Sequence, residues 1–163
     1  MPYDLSKPLV IGISSRALFN LEQENKIFEE QGVEAYEAYQ VAHENEILQK
    51  GAAFQLIKAF LKLNNTGLGR LVEVIIMSRN NANTCLRIFN SIQYYGLDIT
   101  RATLTSGAEI APYLKAFKTD LFLSANSVDV QSAINDGIAA GLILTGAAHA
   151  DAKQKIDQIR IAF

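Results

Sequence analysis

The sequence predicts an α/β fold, a three-layer sandwich whose mostly parallel sheet carries helices on both faces. Three observations lead there. Leu9–Ile13 and Leu71–Met77 are nearly continuous apolar runs, the form of strands buried on both sides. Helical stretches of about a dozen residues alternate with such runs, as right-handed crossovers between parallel strands require. The length of 163 residues is one domain's worth at roughly 100–200 residues per domain, so we expect a single domain over 1–163.

The first strand, Leu9–Ile13, ends in Ser14-Ser15. From Asn20 to Asn45 the chain is polar and helix-forming but interrupted at Gly32, which suggests two helices, the second with a narrow apolar face of Val33, Tyr36 and Tyr39. After Gly51, the residues Ala53, Leu56, Ile57, Phe60 and Leu61 fall on one helical stripe. Asn64-Asn65-Thr66-Gly67 reads as a turn into the second strand. A helix follows with Ala82, Cys85, Leu86, Phe89 and Ile92 expected on its buried face and Gly96 as its stop. Beyond it come a weak strand at Ala102–Leu104, a short helix near Pro112, strand Leu121–Leu123, helix Val128–Asp136 and strand Ile138–Leu144. Helix Asp151–Asp157 and an apolar run Ile159–Phe163, alternating as a strand does, complete the reading. A βα loop usually takes about 2–6 residues. The far longer segment after the first strand is therefore a helical insertion at about 20–50, above the C-terminal edge of the sheet. Such a segment serves as a lid or as a dimer surface.

Composition excludes several classes. Hydrophobic residues are 49% and charged residues 20% of the chain, which suits a packed domain and not a disordered one. Fifteen Lys+Arg against seventeen Asp+Glu give a net charge of −2 without a basic block, so no nucleic acid partner is expected. Cys85 is the only cysteine, which removes an intrachain disulfide and a cysteine-based zinc cluster. No apolar stretch approaches the ~20 residues that span a bilayer, and Met1-Pro2-Tyr3-Asp4 lacks the basic start of a signal peptide. A cytoplasmic setting and no membrane partner are expected.

In open α/β sheets ligands bind beyond the carboxyl ends of the strands. Here those ends are Ser14-Ser15-Arg16, Ser78-Arg79-Asn80, Thr105-Ser106-Gly107, Ser124-Ala125-Asn126 and Thr145-Gly146, rich in hydroxyls and amides and without a carboxylate. Two readings stand. Ser14, Ser15, Arg16, Ser78, Arg79 and Asn80 form a phosphate or nucleotide site without a metal. Alternatively the hydroxyls cap helices and Arg16 pairs with an acidic residue of the insertion such as Glu22 or Glu24. Dinucleotide, P-loop and serine-hydrolase motifs are absent. His43-Glu44-Asn45-Glu46 opens like a zinc motif, but Ile47 stands where the second histidine would be, so His43 reads as a helix-end residue. His149 has no ligand partner at helical spacing, Cys85 reads as a small buried hydrophobe, and Tyr94-Tyr95 as packing at a helix end.

Several segments in order resemble the cytosolic type I 5′-nucleotidases: Ser14-Ser15-Arg16-Ala17-Leu18-Phe19, His43-Glu44-Asn45, Ile75-Ile76-Met77-Ser78, Asn90-Ser91-Ile92, Tyr113-Leu114-Lys115-Ala116, Leu123-Ser124-Ala125 and Asp136-Gly137-Ile138-Ala139-Ala140. The resemblance covers nearly the whole chain and is specific by combination. It implies a Rossmann-like, haloacid dehalogenase-like fold and hydrolysis of nucleoside 5′-monophosphates, AMP prominently, with Mg²⁺ in the full-length enzyme. It also implies that this is the N-terminal half, since the Asp-x-Asp nucleophile motif lies in a second half that would begin after Arg160-Ile161-Ala162-Phe163. A phosphatase of this kind needs a carboxylate nucleophile, a second carboxylate two residues on, a lysine and an acidic metal ligand. Only Ser78 matches an expected position, as the phosphate-binding hydroxyl. No catalytic residue, no metal ligand and no Mg²⁺ are therefore expected on this chain alone. Its expected partners are a nucleoside monophosphate or phosphate anion, and a second copy or the missing C-terminal half. The alternative is a degenerate phosphatase-fold module that binds without turnover.

Overall fold

The computed structural model describes residues 5, 7–82 and 84–145. The expected helix Asp151–Asp157 and strand Ile159–Phe163 lie outside the described residues, as do Gly146 and His149. Five parallel strands, β1 (Leu9–Ile13), β2 (Val72–Ser78), β3 (Arg101–Leu104), β4 (Leu121–Ser124) and β5 (Ala139–Leu142), stand in the order β3-β2-β1-β4-β5. The connections carry helices α1 (Ser15–Leu18), α2 (Glu22–Ala42), α3 (Phe54–Lys62), α4 (Leu86–Tyr94), α5 (Ala111–Ala116) and α6 (Ser127–Asn135). The chain winds outward from β1 to β3, then returns to pair β4 with the other side of β1. The winding therefore reverses between β1 and β4, where a doubly wound sheet opens a crevice at its carboxyl edge.

Strand alternation divides the core into two layers. Ile11, Ile13, Val72, Val74 and Ile76 join Leu18, Phe54, Ile57, Ile88 and Ile92 on one face. Val10, Ile75, Met77 and Phe122 meet Ile110, Leu114 and Ala133 on the other. Gly12 belongs to this second face, where an added Cβ would lie 3.2 Å from Leu114, Met77 and Phe122. Glu73 interrupts the apolar run of β2 and is fully buried. Arg70 Nε reaches its carboxylate at 2.5 Å and Arg101 donates to the other oxygen, which compensates the desolvated charge.

The insertion leaves and re-enters the domain at one place. Phe19 and Lys50 form an antiparallel bridge, Asn20 N–H donates to Gln49 O at 2.9 Å and Gly51 N–H to Leu18 O at 2.9 Å. Its α2 is one helical stretch broken at Gly32, whose φ of 85° and ψ of −177° suit glycine alone. Gly96, at φ 62°, ends α4 as the sequence implied. The face of α4 matches expectation at Cys85 and Ile92 and differs elsewhere. Thr84, Cys85, Arg87, Ile88, Ser91 and Ile92 are buried, whereas Ala82, Leu86 and Phe89 are exposed. Polar anchors turn the helix: Ser91 Oγ accepts from Leu48 N–H and donates to Arg87 O, and Arg87 is engaged by the insertion.

Candidate nucleotide site at the carboxyl edge of the sheet

A cavity of about 600 Å³ opens above the carboxyl ends of β1 to β4, within the size of small-molecule sites. Ser15, Arg16, Arg79, Asn80, Ser106 and Asn126 from the strand ends form its floor, and α2 forms the opposing wall. Of the residues predicted for an anion site, Ser15, Arg16, Arg79 and Asn80 line it. Ser14 is turned to a structural task. Its Oγ caps α1 by accepting from Ala17 N–H and accepts from Ala125 N–H, each at 3.2 Å, which ties the end of β1 to the end of β4. Ser78 is buried below the floor, with its Oγ 3.3 Å from that of Ser15 and accepting from Asn80 N–H at 3.2 Å. The adjacency of β1 and β2 thus brings the two serine-arginine loops together.

The charges differ from the sequence expectation of arginines without carboxylates. Arg16 grips Glu22 with two donors, Nε to Oε1 at 3.1 Å and Nη2 to Oε2 at 3.3 Å. This is the capping-and-pairing alternative for Arg16. Arg79 donates from Nε to Asp129 Oδ1 at 3.1 Å and again from Nη2 to the same oxygen. Asp129 sits in the first turn of α6, capped by Asn126, and is brought to β2's loop only because β4 pairs with β1. Sequence reasoning placed Asp129 within the helix and so missed it as a partner; an acidic residue in a helix's first turn after a strand end was the available signal.

The wall is held from below. Arg87 Nη1 meets Glu24 Oε1 at 2.6 Å, its Nε donates to Glu46 O at 2.9 Å, and its guanidinium lies 6.0 Å from the Tyr39 ring centroid. Asn81 Nδ2 donates to Glu37 Oε1, while Asn81 Oδ1 accepts from Thr84 N–H at 3.1 Å. Burial raises the Tyr36 hydroxyl's pKa above its ordinary value. Burial likewise pushes the Cys85 thiol up to about 12, so it is an inert packed group. His43 ends α2, stacked on Tyr39 at 3.9 Å, with Nδ1 2.7 Å from Tyr39 O.

The donors at the ends of β1 and β2 do not suit Mg²⁺, which favours an octahedron of oxygens with carboxylates among them. Hydroxyls and guanidiniums end β1 and β2, and Glu22 and Asp129 are engaged by arginine. Among the described residues no three His, Cys, Asp or Glu side chains converge as ligands.

A family model described as 5′-nucleotidase matches residues 1–163. The chain belongs to the 5′-nucleotidase family. Human cytosolic 5′-nucleotidase 1B is 40% identical over 162 residues, a match covering 95% of this chain and 26% of the relative. The chain thus spans about a quarter of the length of that 5′-nucleotidase. No solved structure gives a significant match. Among the described residues no helix is long and apolar enough to cross a membrane.

Proposed function

We propose that this chain supplies a nucleotide-binding but non-catalytic part of a cytoplasmic, haloacid dehalogenase-like 5′-nucleotidase that hydrolyses nucleoside 5′-monophosphates of the AMP type. Hydrolysis draws its Mg²⁺ site and nucleophile from carboxylates outside these residues. The phosphate lies toward Ser15, Arg16, Arg79 and Asn80. One observation carries the reading: beyond the ends of β1 and β4 the cavity is lined by Ser15, Arg16 and Asn126, and the nearby acids Glu22 and Asp129 are bound to arginine. Family membership supports the substrate class, and the side chains lining the cavity beyond β1 and β2 offer binding groups without a nucleophilic carboxylate at the strand ends.

The test is phosphate release from AMP by the purified chain with and without Mg²⁺. We expect none from the chain in either condition. Turnover near ~1 s⁻¹, within the ordinary enzyme range, that disappears in Ser78→Ala would overturn the non-catalytic assignment.

A further inference from the structure

The two sides of the cavity differ in chemistry. Arg16, Arg79 and Arg87 stand against Glu22, Glu24, Glu37 and Asp129 in and around it, so the carboxylates outnumber the guanidiniums. A free phosphate entering such a site gains little from the net field and must compete with an acid for each arginine. Binding energy for a nucleotide therefore has to come from elsewhere in the cavity.

The α2 wall offers it. Phe28 is 47% and Val33 54% exposed, on either side of the Gly32 break, and both line the cavity. Phe28 stands edge-on to Tyr36, with centroids 6.0 Å apart and an interplanar angle of 82°. Gln40 Nε2 donates to the Tyr36 hydroxyl at 3.1 Å, which helps hold that ring in place. These apolar surfaces suit a flat ring, and base–aromatic stacking is worth about 1–3 kcal/mol. Next to them the Glu37 carboxylate is oriented by Asn81, whose Oδ1 is itself fixed by accepting from Thr84 N–H. A carboxylate only accepts hydrogen bonds, so its ligand must donate.

We propose that the α2 wall is a nucleobase subsite that stacks a base against Phe28 and Val33 and selects an exocyclic amine through Glu37. This rests on the reading that a nucleotide occupies the cavity. It adds that the base, and not the phosphate, provides most of the affinity.

Calorimetry on the full chain without metal tests it with four probes: adenosine, purine riboside (the same ring system without the amine), AMP and inorganic phosphate. Adenosine should bind about tenfold tighter than purine riboside, the size of one hydrogen bond to a charged group. Glu37→Ala should abolish that ratio, Phe28→Ala should weaken both nucleosides about tenfold, and phosphate should bind far more weakly than adenosine. The comparison of the two nucleosides on the unaltered chain stands even if a variant fails to fold. Equal binding of the two nucleosides, or a ratio that survives in Glu37→Ala, would overturn the subsite. AMP binding lost in Arg79→Ala but unchanged in Glu37→Ala and Phe28→Ala would overturn the subsite and leave the nucleotide reading intact. No binding of any of the four would overturn both.

Discussion

Arg87 of α4 and Glu24 of α2 form a buried ion pair, Nη1 to Oε1 at 2.6 Å, across 63 residues of sequence. Their side chains are 8% and 6% exposed. The pair pins the inserted helix to a helix that covers the sheet. Removing one partner from a buried pair strands the other charge, at a cost of about 3–5 kcal/mol. Arg87→Met should therefore lower stability by about that amount, measured by urea denaturation, and Glu24→Gln added to it should recover part of the loss. A loss below about 1 kcal/mol, the scale of exposed pairs, would show that the insertion is held by other contacts.

Gly51 closes the insertion against α1. A Cβ there would lie 2.8 Å from Ala17 O and from the carbonyl carbons of Leu18 and Phe19, all backbone atoms that cannot swing aside. Gly51→Ala should cost about 1–3 kcal/mol, the range for forced overpacking. Gly12→Ala meets side-chain atoms at 3.2 Å instead, and these can adjust, so its cost should be smaller. Denaturation midpoints of the two variants check the order; the reverse order would contradict the clamp.

The hydrogen bond from Arg16 holds the Glu22 carboxyl below its ordinary pKa, against partial burial, with the Arg16 charge and a bond from Thr145 adding to it. A carboxyl depressed in the folded state contributes stability that is present above its unfolded pKa and fades as pH falls through the folded one. Both side chains are well exposed, so the effect on overall stability is small. NMR titration should find the Glu22 midpoint below that of an unpaired glutamate, and moved upward in Arg16→Ala. An unchanged midpoint in the variant would remove Arg16 as the cause.

Local pattern reached most of the architecture. The apolar runs marked the strands, Gly32 marked the break in α2, and Gly96 marked the end of α4. Each is a property of a residue and its close neighbours, since strand burial and positive φ are settled over a few residues. The α4 face escaped this logic. Leu86 and Phe89 looked like core by spacing, but the partners of Arg87 and Ser91 come from the insertion and set the rotation of the helix.

Apolar patterning along the chain fixes which residues end the strands, and so which hydroxyls, amides and arginines gather at the carboxyl edge. Arg16 and Glu22 also lie close enough along the chain for their pairing to be foreseen. The charge of the site depends instead on long-range packing. Arg79 and Asp129 are 50 residues apart, and they meet because β4 returns to the far side of β1 while α6 starts at its end. Periodicity along a chain reports which face is apolar; it carries no information about which strand lies beside which. Strand order brought Asp129 to Arg79, while the turn of the insertion set Glu24 and Glu37 beside the same cavity.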